Sequence, residues 1–275
     1  MQEVDTKRLF ELSNNMANFI VKSPEALSRY LITAANCRHY TVSNQLLILS
    51  GMNSIAGNKS NPTLVLTEEA WIQYGINVLP GAKPIWIMEY APNSKYEYIP
   101  RPVFDLSQTS GSYQKPVYEI GSLCEKMYMI KPCKVEFNDE LRVPGTKCYY
   151  RSGEECIQVR SGFKTMEELF CNLSTEYAHY FFHKETNNKY GKNTAYNRAV
   201  NKSQADMTGM INALYFGVIK NIDIKEVPEF LSSNNNCSKI KEKLNDILKP
   251  AYYMMDNIDK LIVKENQRMG AGYAR

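Results

Sequence analysis

The chain has no apolar run approaching the roughly 18 residues that a membrane-spanning helix needs, so it is not expected to sit in a membrane. Its opening residues, MQEVDTKRLFELSNN, place acids and polar side chains where a signal peptide requires an apolar core. Cys-x-x-Cys pairs are missing as well. The seven cysteines, at 37, 124, 133, 148, 156, 171 and 237, are odd in number, which argues for reduced thiols over a disulfide framework or a cysteine-zinc site. A large excess of one charge is absent too: a net charge of +4 is too small to argue for nucleic acid by itself, because a binding patch depends on clustering rather than totals. What remains is a soluble, cytoplasmic chain, and its 44% apolar and 23% charged residues are globular values.

The apolar residues that are present fall into recognisable periods. Leu9, Leu12, Met16 and Phe19 or Ile20 recur at helical spacing, with Pro24 closing that helix. A second helix is expected from Glu25 to Arg38, and a third around Leu46 to Leu49. From Asn61 the texture changes. Thr63 to Leu66 is a short apolar run, Thr67 is placed to cap a helix with Glu68 and Glu69 in its first turn, and GAKPIWIMEYAP and YIPRPVFDLSQ read as strands. The aromatics Trp71, Trp86, Tyr90, Tyr98 and Phe104 have two readings, as stacking platforms for exposed bases or as core, and the apolar alternation favours core. Residues 116–147 read as a bridging segment. CYYRSGEECIQV then reads as a hairpin turning at Ser152-Gly153. After Gly217 come a short helix, a Ser/Asn turn and a long helix whose inward face is Ile240, Leu244, Ile247 and Leu248, followed by a tail expected to be mobile.

Histidine is scarce, and two of the three in the chain fall within EELFCNLSTEYAHYFFH, residues 167–183. Thr165 and Glu168 have capping-box spacing, so a helix starting near Met166 is well signalled. On that helix Asn172, Thr175, Glu176, His179 and His183 share one arc, a polar stripe along an otherwise aromatic cylinder. Two imidazoles one turn apart with a carboxylate between them are the parts of a zinc hydrolase: the imidazoles hold the metal and the acid takes a proton from metal-bound water. Read from composition alone, the same histidines are partly buried hydrogen-bonding residues.

Three ordered motifs carry a resemblance. HYTVSNQLLIL, LTEEAWIQYGINVLPGAKPIWIM and RPVFDLSQTSG resemble the N-terminal domain of the ArdC/LtrC-like family of antirestriction and mobile-element proteins, and Thr175-Glu-Tyr-Ala-His179-Tyr-Phe-Phe-His183 resembles that family's His-Glu-x-x-His-x-x-x-His. The resemblance implies an α+β protein: an N-terminal helical and small-sheet domain (1–115), the bridge (116–147), a zincin-like, mainly helical domain (148–265) and the tail (266–275). It makes Glu176 the general base, His179 a metal ligand and His183 the trailing histidine. Thr175 stands where the motif has its first histidine, and Lys202 at the position matching the third, acidic ligand, with Gln204 and Asp206 as alternatives in a gapless matching.

A hydroxyl is a poor zinc donor beside an imidazole, and an ammonium has no lone pair and repels the ion, so these two positions argue for a metal-free site. Zinc remains an option only if His179, His183 and Asp206 form a shifted site. In the metal-free reading the Lys202 ammonium fills the vacated space and pairs with Glu176 or Asp206. The family also implies single-stranded DNA and a host restriction or defence protein as partners, with Arg38, Trp71, Lys83 and Trp86 as candidate DNA contacts. The resulting expectation is an antirestriction factor with an inactive metallopeptidase-like domain; the alternatives are an active zinc peptidase using the shifted ligands and a metal-free scaffold binding a host protein.

Overall fold

The computed structural model describes residues 5–56, 60–112, 116–140, 143, 145–191, 195–233 and 236–272, with side chains as far as residue 267. The chain is α+β and divides into two compact units, one formed by Met1–Pro116 with Asn221–Asn245 and the other by Val117–Lys220 with Asp246–Arg275.

The first unit opens with three helices, α1 (Thr6–Ile20), α2 (Pro24–Asn36) and α3 (Val42–Ala56). Pro24 does not close α1 but begins α2, where its missing N–H costs nothing and Ser23 caps by accepting from Ala26 N at 3.2 Å. Strands β1 (Val65–Leu66), β2 (Ile85–Tyr90) and β3 (Tyr98–Asp105) form an antiparallel sheet in the order β1-β3-β2. Helix α4 (Glu68–Gln73) lies between β1 and β2 and is capped by Thr67, as its sequence foretold. Its Trp71 is 0% exposed and donates its indole N–H to the Phe104 carbonyl at 3.0 Å. Ile48, Met52, Val65, Ile85, Ile87 and Val103 close the core between α3 and the sheet.

Polar residues of the three motifs hold this unit together from inside. Asn44 on α3 makes two 2.9 Å bonds to the backbone of Met88, donating to its carbonyl and accepting from its N–H, which ties the outer edge of β2 to the helix. Gln45 accepts from Tyr30 and donates to the carbonyls of Cys37 and Tyr40. Asp105 and Gln108 form a reciprocal cap at the end of β3, and Gln108 also donates to the Lys83 carbonyl at 2.7 Å. Each is a buried polar group whose hydrogen bonds replace those lost to water.

In the second unit the expected bridge carries real elements, α5 (Ile120–Ile130) and β4 (Lys134–Phe137). The foreseen hairpin is β5 (Cys148–Arg151) with β6 (Cys156–Val159), and β4 joins β6 in parallel to give the order β4-β6-β5. Two helices follow, α6 (Met166–Tyr190) and α7 (Arg198–Tyr215). They approach closely at Gly209, where a Cβ would stand 2.5 Å from Thr175 Oγ1, and Asn212 on α7 donates to Ser174 on α6 at 2.9 Å. Two further helices are α8 (Glu229–Ser232), in the first unit, and α9 (Cys237–Gly272). Helix α9 runs through Pro250, because the burial of Ile247, Leu248, Ala251, Met254, Met255 and Ile258 outweighs one lost backbone bond. Residues 266–272 of the expected tail lie in α9, and 273–275 lie outside the described residues.

Candidate functional site

Thr165 starts α6 by accepting from Glu168 N at 3.1 Å, while the Glu168 carboxylate reaches back to Lys164 N at 2.8 Å. From this start the helix turns Glu176, His179 and His183 inward, at 3%, 1% and 6% exposure. Thr175, Glu176 and His179 line a cavity of about 680 Å³ together with Tyr149 of β5 and with Arg198, Lys202 and Asp206 of α7. This lies in the volume range of small-molecule sites. His183 is not part of its lining.

The chemistry at Glu176 is decided by a residue that the sequence reading passed over. Asn197 caps α7 by accepting from Ala199 N and Val200 N at 3.1 and 3.3 Å, which fixes Arg198 as the first helical residue. The Arg198 guanidinium then grips Glu176 with two parallel bonds, 2.7 Å to Oε2 and 2.5 Å to Oε1. Oε2 also accepts from Tyr150 N at 2.7 Å, and the guanidinium lies 4.4 Å from the centre of the Tyr149 ring. Burial pushes the Glu176 carboxyl upward in pKa while the guanidinium and the Tyr150 amide oppose it. Both carboxylate oxygens are occupied.

Of the two pairings foreseen for Lys202, the one with Asp206 is formed. Its ammonium meets Asp206 at 2.6 Å one turn along α7, on a side chain 70% exposed, and leaves Glu176 to Arg198. The physical reason is reach and geometry: a planar fork matches a carboxylate with two bonds, whereas an ammonium remains better hydrated at the surface. A signal for Arg198 was available in the sequence. A cation in the first turn of a helix opposes the helix dipole, so an arginine beside a clear Asn cap calls for an acidic partner elsewhere.

The histidines are engaged by tyrosines that the motif does not include. His179 Nδ1 lies 2.7 Å from the Tyr196 hydroxyl, and His183 Nδ1 lies 2.7 Å from the Tyr150 hydroxyl. Asn187 donates to His183 Nε2 at 3.1 Å, so both nitrogens of that ring are used. His179 Nε2 is buried with no hydrogen-bond partner. Burial, with Arg198 and Lys202 nearby, lowers the His179 pKa to about 3, so the ring is neutral at physiological pH.

The shifted trio of His179, His183 and Asp206 is therefore not assembled: His183 is closed by Tyr150 and Asn187, and Asp206 is held by Lys202. Among the described residues no group of three or more His, Cys, Asp or Glu is placed to hold a metal ion. The candidate DNA contacts are also divided. Trp71 is core and presents no face to a base. Lys83 and the half-buried Trp86 line a groove of about 420 Å³ in the first unit with Arg8, Leu12, Ser50 and Ile55, and Arg38 is not part of that lining.

No protein-family model matches the chain, and no curated protein matches it. Solved structures do. The Mn(II)-bound crystal structure of the antirestriction protein ArdC from plasmid R388 matches with a TM-score of 0.56 at 13% identity, covering 90% of this chain and 98% of that one. The chain has the ArdC fold. A metal-free ArdC structure matches with a TM-score of 0.54 at 15% identity and the same coverage, so the α+β architecture expected from the motifs is present throughout. ArdC has been crystallised both with and without a metal, which makes the donor set the relevant test. Here Glu176 is filled by a guanidinium, Thr175 offers only a hydroxyl, and one imidazole nitrogen remains. That set does not fit a divalent cation.

Proposed function

We propose that the chain is an antirestriction protein of a plasmid, transposon or phage, acting without peptide hydrolysis and contacting single-stranded DNA through its first unit. The observation that supports this reading is the likeness to ArdC over nearly the full length of both chains. The non-hydrolytic part is supported by Glu176: a general base must be free to take a proton, and both of its oxygens are engaged by Arg198 and Tyr150. The groove at Lys83 and Trp86 suits a strand whose phosphates meet Arg8 and Lys83 while a base rests on the indole.

Restriction relief is the direct test. Unmodified plasmid is transformed into a restricting host that expresses the chain, with modified plasmid as the reference. Relief is expected for the native chain and for Glu176→Gln alike. No relief from a folded native chain overturns the reading, and relief abolished by a Glu176→Gln variant that remains folded would transfer it to a hydrolytic mechanism. Binding of a single-stranded oligonucleotide should weaken with salt and with Lys83→Ala and Trp86→Ala; salt-independent binding counts against phosphate contacts.

A further inference from the structure

We infer that Arg198 is a tethered cation: its guanidinium supplies from within the chain the positive charge that a metal would supply beside Glu176, and it closes the cavity to divalent ions. The inference goes beyond the antirestriction reading and does not depend on it, because it concerns what the cavity binds and not what the protein counters.

Three observations carry it. Glu176 is 3% exposed, and a carboxylate buried to that degree needs a compensating cation. Among the described residues lining the cavity, Arg198 and Lys202 are the cations, and Lys202 is paired with Asp206 on a side chain 70% exposed. Second, Arg198 is built into position rather than merely near. Asn197 fixes its place in the chain, the Tyr149 ring backs its face, and the fork meets both oxygens of Glu176. It holds that place against the dipole of its own helix, so the pairing with Glu176 is what offsets the position. Third, His179 lines the same cavity, and its Nε2 is buried without a partner. An ordinary buried ion pair gives no reason to keep an unsatisfied imidazole beside it; a cation-binding cavity whose cation is now covalently attached does.

The ligand class follows from the shape of what fills the site. Removal of the Arg198 side chain leaves a planar, two-donor vacancy facing a carboxylate, which free methylguanidinium matches and methylammonium does not. The full-length native protein and Arg198→Ala are compared by thermal melting with methylguanidinium or methylammonium, far below denaturing concentrations, and by metal analysis after incubation with Mn(II) or Zn(II). The native protein is expected to take up no stoichiometric metal and to be indifferent to both amines. Arg198→Ala should melt about 10 °C lower and recover part of that loss with methylguanidinium alone. Recovery should vanish in Arg198→Ala/Glu176→Gln.

One equivalent of metal in the native protein, lost on His179→Ala, overturns the inference. So does an Arg198→Ala melt that is unshifted, that methylguanidinium fails to raise, or that methylammonium raises equally. Should Arg198→Ala fail to fold, Arg198→Met/Glu176→Leu decides: it is expected to melt closer to the native protein than either single variant, and additive losses refute the pairing.

Discussion

The two units handle buried polar groups in opposite ways. In the first, Asn44, Gln45, Asp105 and Gln108 are spread along the core, and each bonds to backbone groups of a neighbouring segment. In the second, most of the buried polar side chains gather on α6 and α7, and Glu176, His179, His183 and Asn212 each bond to another side chain. The four buried side-chain atoms without a partner among the described residues, Tyr128 Oη, His179 Nε2, Asn187 Oδ1 and Asn212 Oδ1, all belong to the second unit. Dispersed and satisfied polar groups specify a fold; concentrated and partly unsatisfied ones are what a site leaves in a fold.

Trp71→Ala removes a fully buried indole together with its hydrogen bond to the Phe104 carbonyl, so a loss of about 3–5 kcal/mol is expected from denaturant unfolding of the first unit. Asn44→Ala should cost about 2 kcal/mol, since it orphans both the N–H and the carbonyl of Met88 on the β2 edge. A change below about 0.5 kcal/mol at Asn44 would mean that water replaces the side chain, and the first unit would then be no better satisfied than the second.

The difference between the units also explains what the sequence made legible. The motifs of the first unit are packing instructions: an Asn that bonds across to a strand, a Thr cap, an Asp and Gln that cap each other. Such instructions are local, so cap, strand and helix positions came through, including Thr67, Thr165 and the hairpin at Cys148–Val159. The stripe of Glu176, His179 and His183 was legible as a stripe. Its chemistry was not, because Tyr150, Tyr196 and Arg198 come from a strand, a loop and a second helix, and no spacing within α6 announces them. Matching to a motif also drew attention to Lys202, the aligned position, when the side chain that acts lies one turn earlier. Pro24 misled for a related reason: the effect of a proline depends on whether its missing N–H is needed, and that is set by the surrounding packing.

Acid separates the units next. His179 has a pKa of about 3 in the fold against an ordinary value near 6.5, so the unfolded chain binds more protons between those limits. Its contribution is fully present above about pH 6.5 and is lost as pH falls toward about 3, a decline on the order of 3 kcal/mol by pH 4. His179→Gln should flatten that part of the stability–pH profile by a similar amount. If the acid limb is unchanged in the variant, the buried ring is not the group responsible, and the neutral state assigned to it is wrong.

The smallest expected effect is the sharpest on roles within the site. Lys202 and Arg198 are both cations of α7, four residues apart, and both line the same cavity. Lys202 meets Asp206 across a partly exposed i,i+4 pair, with side-chain exposures of 70% and 34%, and such pairs contribute about 0.3–0.5 kcal/mol. Lys202→Ala should therefore change stability by no more than about 0.5 kcal/mol, and the change should shrink in salt. It also removes one of the charges that hold the His179 ring neutral, so the folded pKa of that ring should rise slightly and the acid limb become slightly shallower. A loss of several kcal/mol at Lys202 would instead place the buried counter-charge there, and Arg198 would no longer be the residue on which Glu176 depends.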